Sequence, residues 1–400
     1  MPSLSSSRAD LRPSVFADVQ AQIEAHTARG GDLIGLHLGD TYLEPPQAAL
    51  LGPVLDRHGE GTSLYRYGSV AGLASFRNAI AEDLRRRGRA FPLVTGDEHI
   101  LIGAGATHAI FCAAAAVLSP GDEVLLAAPY WPLAHGILVA AGARPIEVPF
   151  SSRLYGDPTL DAGAILREAL TPRTRALYLI SPNNPDGKVL SLAQLESVAA
   201  LAIEKDLWVF ADEAYADFSF GAPHISIASL PGMAERTVTA YSFSKSHALA
   251  GLRVGYVAAP ADVVRVGLRV STHSIFSVPL AMQWAAAAAL ASGPRWPERA
   301  LLIYRRSLEA VVDGLRGSGV RFALPDGGAY VFIDFSEVLG DRSLSDLLGR
   351  AIAKGVLLAP GAGFGLAYAK HARLCFTSEP LPRLEEGLSR LVAAVRELPR

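Results

Sequence analysis

The chain contains very little cysteine, and this scarcity excludes several kinds of site. Its 400 residues include 2 cysteines, Cys112 and Cys375, and both lie in apolar sequence. Two cysteines so far apart form neither a disulfide framework, nor a zinc quartet, nor a CxxC redox pair. We therefore expect a protein of a reducing compartment, and we predict no metal site.

Long apolar runs are also missing. The longest are residues 109–118 and 285–291, which is far below the roughly 20 residues that a membrane-spanning helix needs. Residues 1–7 lack the charged segment followed by an apolar segment that marks a secretory signal. The sequence therefore predicts a soluble protein of the cytoplasm.

An excess of charge of one sign is absent as well. Lysine and arginine number 37 against 39 aspartates and glutamates, so the net charge is −2. A nearly neutral chain has no electrostatic footprint for DNA, RNA or an anionic membrane. The tight basic run at 85–89 follows an apolar-periodic stretch, and we interpret it as the solvated end of a helix. With 50% hydrophobic residues, the chain is able to form a large core.

Short apolar segments alternate with helical patterns through the middle of the chain. Helical periodicity marks residues 107–118 and 192–205. Strands that are apolar throughout and separated by helices are typical of a mostly parallel sheet buried on both faces. The sequence therefore predicts an α/β fold. The predicted strands are 99–103, 123–128, 144–148, 175–181, 207–211, 237–242 and 254–259.

The pattern changes at residues 292–297, where glycine and two prolines interrupt the helical periodicity. Beyond this point we predict a long helix over 298–315 and a last helix with an apolar stripe. Strands are predicted near 330–335, 356–359 and 373–377. A length of 400 residues favours two domains, at about 150 residues each. We predict a large domain over 46–292 and a small domain formed by 1–45 with 293–400.

Polar clusters follow several of the strands, and ligands of parallel sheets bind beyond the carboxyl ends of the strands. The turn at 103–108 is rich in glycine, and such a turn before a helix offers backbone N–H groups to a phosphate. It matches the first two glycines of a dinucleotide-binding fingerprint, but His108 replaces the third. The loop Asn183-Asn184-Pro185-Asp186-Gly187 follows another strand, although these residue types also favour an ordinary turn.

Two further clusters carry charged groups. Asp212 ends a very apolar strand, and a buried aspartate needs a partner that favours negative charge, although a helix cap is the simpler alternative. Lys245 lies among small hydroxylated residues, with Arg253 eight positions later. A lysine that forms a Schiff base must be partly desolvated and close to a carbonyl group. Ser242, Ser244 and Arg253 would suit a phosphate on the same ligand.

Together these clusters describe a site for pyridoxal phosphate, which needs a phosphate cradle, a lysine for an imine and an acid for the ring nitrogen. The chain resembles the fold-type I pyridoxal-phosphate-dependent enzymes of the class I/II aminotransferase family, the aspartate aminotransferase superfamily. The resemblance covers nearly the whole chain from position 39 and rests on three motifs: Asn184-Pro185-x-Gly187, Asp212-x-x-Tyr215 and Ser242-x-Ser244-Lys245…Arg253. It implies a three-layer, mostly parallel large domain that binds the cofactor and a smaller α+β domain.

The resemblance also implies the roles of individual residues at the cofactor. Lys245 would form the Schiff base and then move the substrate proton. Asp212 would pair with the pyridinium nitrogen, while Asn184 and Tyr215 would bond the phenolic oxygen. Trp131 would stack on the ring. The residues expected to hold the phosphate are Ala106, Thr107, Ser242, Ser244 and Arg253.

Further implied roles concern the substrate and a second subunit. Arg373 matches the arginine that binds the substrate α-carboxylate, a task that suits its planar, bidentate fork. Gly39 and Asn184 would line the substrate side. Tyr67 resembles a tyrosine that reaches the phosphate of the partner subunit, which implies a homodimer with shared active sites.

The resemblance implies transfer of an amino group between an amino acid and a 2-keto acid. In relatives specific for dicarboxylates, an arginine of the partner subunit binds the second carboxylate. No arginine occurs at 271–284, where we would look for it, so we expect a neutral or aromatic donor. A carbon–sulfur β-lyase, a decarboxylase or a cyclase would use the same motifs, and these alternatives stay open.

Two alternatives of other classes have less support. A ligand-sensing regulator that kept the fold would need a DNA-binding segment, and the tail before Gly39 is too short for one. A dinucleotide-dependent dehydrogenase would need glycine at position 108, where this chain has histidine. It would also leave the cluster of Lys245 and Arg253 without a role.

Overall fold

A computed structural model of the chain describes residues 11–12, 15–58, 64–89 and 96–398. The strands among these residues are β1 (Ile34–Gly35), β2 (Ile100–Ala104), β3 (Glu123–Ala128), β4 (Arg144–Pro149), β5 (Thr174–Ile180), β6 (Trp208–Asp212), β7 (Thr237–Ser242), β8 (Val254–Ala258), β9 (Tyr330–Asp334), β10 (Val356–Leu357), β11 (Ala359–Pro360) and β12 (His371–Cys375).

Several helices begin at a side-chain cap or at a proline. A capping box of Ser191 and Gln194, for example, starts the eighth helix. The α-helices of the described residues are α1 (Gln20–Ala28), α2 (Leu51–His58), α3 (Ala74–Arg86), α4 (Gly105–Val117), α5 (Pro132–Ala140), α6 (Ser151–Gly156), α7 (Ala162–Arg167), α8 (Leu192–Glu204), α9 (Phe243–Ser246), α10 (Ala261–Ile275), α11 (Leu280–Ala291), α12 (Arg295–Leu315), α13 (Ser336–Leu339), α14 (Leu344–Ala353) and α15 (Leu381–Arg396).

A seven-stranded sheet forms the centre of the molecule, in the order β2-β8-β7-β6-β5-β3-β4. Strands β7, β6, β5, β3 and β4 are parallel, whereas β8 runs antiparallel to both of its neighbours. Strands β3, β6 and β7 are buried almost throughout, because helices cover both faces of a parallel sheet. The carboxyl ends of β5, β6 and β7 therefore meet at one edge of the sheet.

Two smaller sheets lie in the terminal parts of the chain. Strands β11, β12 and β9 form an antiparallel sheet, and the short β1 pairs in parallel with β10. Ile34 and Leu36 of the N-terminal part pack in one hydrophobic cluster with residues of α12, β9, α14 and α15. The two-domain division at 46–292 stays a prediction.

The mostly parallel sheet confirms the α/β class predicted from the sequence, and each of its seven strands lies within one residue of its predicted ends. Three predictions outside this sheet need correction. The run 356–359 is divided between β10 and β11, which belong to different sheets. The strand predicted at 373–377 is β12 and ends at Cys375. Helix α12 begins at Arg295, inside the predicted break, because the first turn of a helix tolerates proline.

The basic run at 85–89 is also not simply solvated. Helix α3 ends beside the segment that follows β6, and there Arg87 and Arg89 both form ion pairs with Asp217, at 2.6 and 2.9 Å. Arg86 keeps the predicted exposed position, with 62% of its side chain accessible.

Among the described residues, no helix combines the length and the apolar character that crossing a bilayer requires. Over the same residues, no group of three or more histidine, cysteine, aspartate or glutamate side chains is placed to hold a metal ion.

Candidate active site

A cavity of about 910 Å³ opens at the carboxyl ends of β5, β6 and β7, whose last residues Ile180, Asp212 and Ser242 all line it. This volume suits a small-molecule ligand. Every site residue predicted from the sequence lines the cavity except Tyr67: Gly39, Ala106, Thr107, Trp131, Asn184, Asp212, Tyr215, Ser242, Ser244, Lys245, Arg253 and Arg373.

Lys245 is held by the short helix α9 directly after β7. Ser242 caps this helix by accepting a hydrogen bond from the backbone N–H of Ser244, at 3.3 Å. The Lys245 ammonium nitrogen donates to the carbonyl oxygen of Gly39. Burial lowers the pKa of Lys245, and two nearby guanidinium groups act in the same direction. A lysine with a lowered pKa has a larger neutral fraction, which is the nucleophilic form.

Asp212 lies buried at the end of β6. Its Oδ1 accepts a hydrogen bond from the backbone N–H of Ala214 at 3.1 Å, and its Oδ2 accepts one from the hydroxyl of Tyr178 at 3.3 Å. Burial raises the pKa of Asp212 to about 6, while these two hydrogen bonds oppose the rise. A buried carboxylate with neutral donors gains stability from a cation placed beside it.

The turn between β2 and α4 has a shape that requires glycine. Gly105 has a φ of +78°, and a Cβ there would lie 2.5 Å from Nη2 of Arg253. A Cβ on Gly255 would lie 2.3 Å from the backbone nitrogen of Ala106. The backbone N–H groups of Ala106 and Thr107 belong to the first turn of α4, where they have no partner within the helix. Together with Arg253, they form an anion cradle.

Arg373 is a buried guanidinium whose two hydrogen bonds go to neutral oxygens. Nη1 donates to Oδ1 of Asn184 at 2.8 Å, and Nη2 donates to the carbonyl oxygen of His37 at 2.6 Å. Nε is buried without a hydrogen-bond partner. The rings of Tyr330 and Phe364 lie 4.3 and 4.9 Å from the guanidinium carbon. A buried cation in these surroundings has a strong preference for an anionic ligand.

The hydroxyl groups of Tyr215 and Tyr330 form a hydrogen bond with each other inside the cavity wall. Burial raises the pKa of Tyr215 well above that of a solvated tyrosine, so its hydroxyl keeps the proton. Trp131 occupies the N-cap position of α5 and also lines the cavity, and its stacking on a ligand ring stays a prediction.

Tyr67 is the one predicted site residue that this chain does not bring to its own cavity. Its side chain is 86% exposed, and its ring packs against that of Phe276 with the centroids 4.7 Å apart. The prediction that Tyr67 serves a partner subunit therefore stays a prediction.

Several residues of the site were missed by the sequence reasoning. Tyr178 contacts Asp212, and the alternation of side chains along β5 signals this, because Tyr178 and the cavity residue Ile180 point to the same face. Tyr330 contacts both Tyr215 and Arg373. Phe16 belongs to the N-terminal part of the wall, for which we find no signal in the sequence.

The residues of the cavity fit pyridoxal phosphate in three respects. The cradle, which a Cβ on Gly105 or Gly255 would obstruct, suits the phosphate group of the cofactor. Asp212, a buried acid whose hydrogen-bond donors are neutral, suits the protonated ring nitrogen. A buried lysine with a lowered pKa matches the aldehyde. The roles of the individual residues stay predictions.

Comparison with known proteins agrees with this fit. The family Aminotransferase class I and II matches residues 32–391. An arginine–pyruvate transaminase of Pseudomonas aeruginosa is 35% identical over 385 residues, which cover 95% of this chain and 94% of the relative. An aspartate/prephenate aminotransferase of Thermus thermophilus is 31% identical, with 92% of this chain and 93% of the relative covered.

Solved structures show the same likeness. A single mutant of Thermus thermophilus aspartate aminotransferase has a TM-score of 0.89 at 29% identity, with 98% of this chain and all of the other covered. An aromatic aminotransferase of Pyrococcus horikoshii has a TM-score of 0.83 at 30% identity, with 94% and 98% covered. The chain therefore belongs to the class I and II aminotransferases, and it is a pyridoxal-phosphate-dependent transaminase of this family.

Proposed function

We propose that this transaminase takes its amino group from neutral or aromatic amino acids, with Lys245 as the amine that condenses with the cofactor aldehyde. The observation that carries the proposal is the grouping of Lys245, Asp212 and Arg373 around one cavity. The hydrogen bonds of all three go to neutral groups, so their charges are available to a cofactor and a substrate.

Pyridoxal phosphate, when bound, supplies an electron sink for the negative charge that develops on the substrate Cα. Asp212 would stabilise the protonated ring nitrogen, which strengthens that sink. Lys245 would be the base that accepts the Cα proton of the substrate and later returns it. The lowered pKa of Lys245 supports this exchange, because a neutral amine is needed to accept the proton.

Arg373 would bind the α-carboxylate of the substrate. Its hydrogen bonds to Asn184 and to the carbonyl of His37 hold the guanidinium plane in place before any ligand arrives. Such preorganisation lowers the entropic cost of a charge-assisted interaction. Gly39 supports this arrangement, because a Cβ there would overlap the hydroxyl of Tyr330.

The part of the cavity left for the donor side chain is largely apolar, and this supports a neutral or aromatic donor. The apolar side chains come from the N-terminal segment, α5 and the segment after β11: Leu11, Val15, Phe16, Ala17, Leu38, Leu133, Ala362 and Phe364.

The charged residues of the wall support the same conclusion. Arg12 lies at this wall, but its guanidinium is paired with the carboxylate of Glu147 at 2.6 Å and bonds the hydroxyl of Tyr130 at 2.8 Å. Asp212 is the one carboxylate among the described lining residues, and the proposal assigns it to the cofactor. The names of relatives refer to arginine with pyruvate, to aspartate with prephenate, and to aromatic amino acids. This wall favours the last of these three.

The proposal includes a homodimer in which Tyr67 reaches the phosphate of the partner subunit. Support comes from exposed large side chains beside Tyr67, since exposed apolar surface marks interfaces. Tyr65, two residues away, is fully exposed, and Phe276, whose ring packs against that of Tyr67, is 42% exposed.

The test is a panel of amino donors with pyruvate or 2-oxoglutarate as acceptor. We expect kcat/KM for phenylalanine and leucine to exceed that for aspartate and arginine by at least about tenfold. The described residues of the wall offer apolar area and no unpaired charge for a second ionic group. A preference for aspartate or arginine would contradict the proposed donor class. Pyruvate and ammonia released without an acceptor would instead indicate a lyase.

A pair of matched variants locates the specificity. Leu38 lines the cavity and is 54% exposed, whereas Leu324 is 62% exposed and lies outside the cavity. Leu38→Ala is expected to lower kcat/KM for phenylalanine more than for alanine. Leu324→Ala is expected to change neither value, and an equal effect of both variants would argue against the assigned pocket.

A further inference from the structure

Tyr178 is a fully buried tyrosine whose hydroxyl reaches a charged residue of the active site. Its ring packs beside that of Phe210 with the centroids 6.2 Å apart and the planes at 18°. Its hydroxyl donates to Oδ2 of Asp212 at 3.3 Å. Burying a hydroxyl without a hydrogen bond costs free energy, so the hydrogen bond to Asp212 stabilises the Tyr178 side chain in this position.

The register of the central sheet explains the contact. In the parallel pair β5–β6, Tyr178 lies opposite Phe210, and Ile180 lies opposite Asp212. Side chains two residues apart point to the same face of a sheet, so Tyr178 and Ile180 share the face that carries Asp212. The long tyrosine side chain extends past the Leu179–Ala211 pair toward the carboxyl edge and places its hydroxyl against the carboxylate.

In this contact Tyr178 carries the proton and donates the hydrogen bond to Asp212. An ionised carboxylate accepts hydrogen bonds and donates none, so the hydroxyl of Tyr178 is the donor. Burial raises the pKa of Tyr178 well above its solvated value, which keeps that proton on the oxygen. The backbone N–H of Ala214 meets the other oxygen of Asp212. The two donors therefore bind one carboxylate oxygen each, and together they fix its rotation.

We propose that Tyr178 is a positioning residue of the transamination reaction, which orients the Asp212 carboxylate and keeps it ionised for the ring nitrogen of the cofactor. The inference rests on the proposed function, in which Asp212 pairs with that nitrogen. Tyr178 does not line the cavity and so contacts neither cofactor nor substrate. Tyr178 therefore acts on the reaction only through Asp212, whereas a tyrosine that only packs the core would have no effect on the reaction.

Phenylalanine distinguishes the two roles, because it keeps the ring and removes the hydroxyl. If Tyr178 only packs the core, Tyr178→Phe is tolerated. If it positions Asp212, the variant loses a hydrogen bond to a charged group, an interaction that is worth about 10- to 100-fold in an equilibrium constant. We expect the dissociation constant of pyridoxal phosphate to rise and kcat to fall within that range. KM for the amino donor is expected to change less than about twofold.

The chain offers a matched control on the neighbouring strand. Tyr241 of β7 is also buried, and its hydroxyl donates to the carboxylate of Glu213 at 2.7 Å. Tyr241→Phe therefore removes the same kind of hydrogen bond one residue away from Asp212, outside the cavity. We expect it to leave the affinity for pyridoxal phosphate and kcat unchanged within about twofold.

The experiment is a double-mutant cycle on the cofactor-free protein. Pyridoxal phosphate is titrated into wild type, Tyr178→Phe, Asp212→Asn and the double variant, with binding followed by absorbance, and thermal unfolding confirms that each protein is folded. We expect Tyr178→Phe to weaken binding at least tenfold in wild type and less than twofold beside Asp212→Asn. Equal losses in both backgrounds, or no loss in wild type, would overturn the inference. Should Tyr178→Phe fail to fold, Tyr178→Met removes the hydroxyl with a flexible apolar chain and carries the same expectation.

The cycle also separates failure of this inference from failure of the proposed function. If Asp212→Asn alone leaves pyridoxal phosphate binding unchanged, the assignment of Asp212 to the cofactor is wrong. If Asp212→Asn weakens binding and Tyr178→Phe does not, the role of Asp212 stands and only that of Tyr178 is refuted.

Discussion

Arg373→Lys tests how the site recognises its substrate. Lysine keeps the charge but has no planar fork, so it makes a point contact with a carboxylate where arginine makes two parallel bonds. It also loses the hydrogen bonds to Asn184 and His37 that hold the guanidinium at 2.8 and 2.6 Å. One charge-assisted hydrogen bond is worth about 1.5–3 kcal/mol, which corresponds to about 10- to 100-fold in binding.

We therefore expect Arg373→Lys to raise KM for the amino donor by about 10- to 100-fold. The dissociation constant of pyridoxal phosphate, measured by absorbance on the cofactor-free protein, is expected to stay within about threefold, because Arg373 is assigned to the substrate alone. Arg383→Lys is the matched control, since Arg383 forms an exposed ion pair with Asp32 that contributes little. Equal loss of substrate and cofactor binding in Arg373→Lys would refute the reasoning.

Three further predictions follow from the cofactor end of the site. Lys245→Ala should abolish turnover and the visible absorbance of the imine, and a spectrum identical to wild type would contradict the lysine assignment. Burial raises the pKa of Asp212 to about 6, above its value of 3.8 in the unfolded chain, so the fold favours its protonated form. Relative to Asp212→Asn, the cofactor-free protein should therefore lose about 3 kcal/mol of unfolding free energy between about pH 3.5 and 7, and a pH-independent difference in chemical denaturation would refute this. Gly255→Ala should weaken pyridoxal phosphate binding, because its Cβ would lie 2.3 Å from the Ala106 nitrogen. Gly251→Ala meets nothing within 4 Å and serves as its control, so equal effects on the dissociation constant would argue against the cradle.

The central sheet was predictable because its strands are short apolar runs with clear ends. Strand β7, for example, runs from Thr237 to Ser242, as predicted. The polar residues around Lys245 mark the end of its apolar run. Outside this sheet the signals are weaker. Residues 356–359 form one apolar run, yet they belong to two sheets, because pairing partners far along the chain decide where each short strand lies.

The candidate site was predictable where a motif lies at a strand end, as Asp212 does, or just beyond it, as Lys245 does. Contacts that depend on the tertiary fold were not predictable. Tyr330 and Arg373 lie on the paired strands β9 and β12, which are far apart in sequence, and their stacking follows from that pairing. Phe16 reaches the cavity from the N-terminal part, and no local pattern marks it.

Borohydride reduction followed by peptide mapping tests the central claim most directly. The chain has 5 lysines, so Lys188, Lys205, Lys354 and Lys370 serve as internal controls within one digest. Mass spectrometry of the reduced enzyme should find the pyridoxyl group on Lys245 and on none of these four. A pyridoxyl group on another lysine, with Lys245 unmodified, would contradict the account.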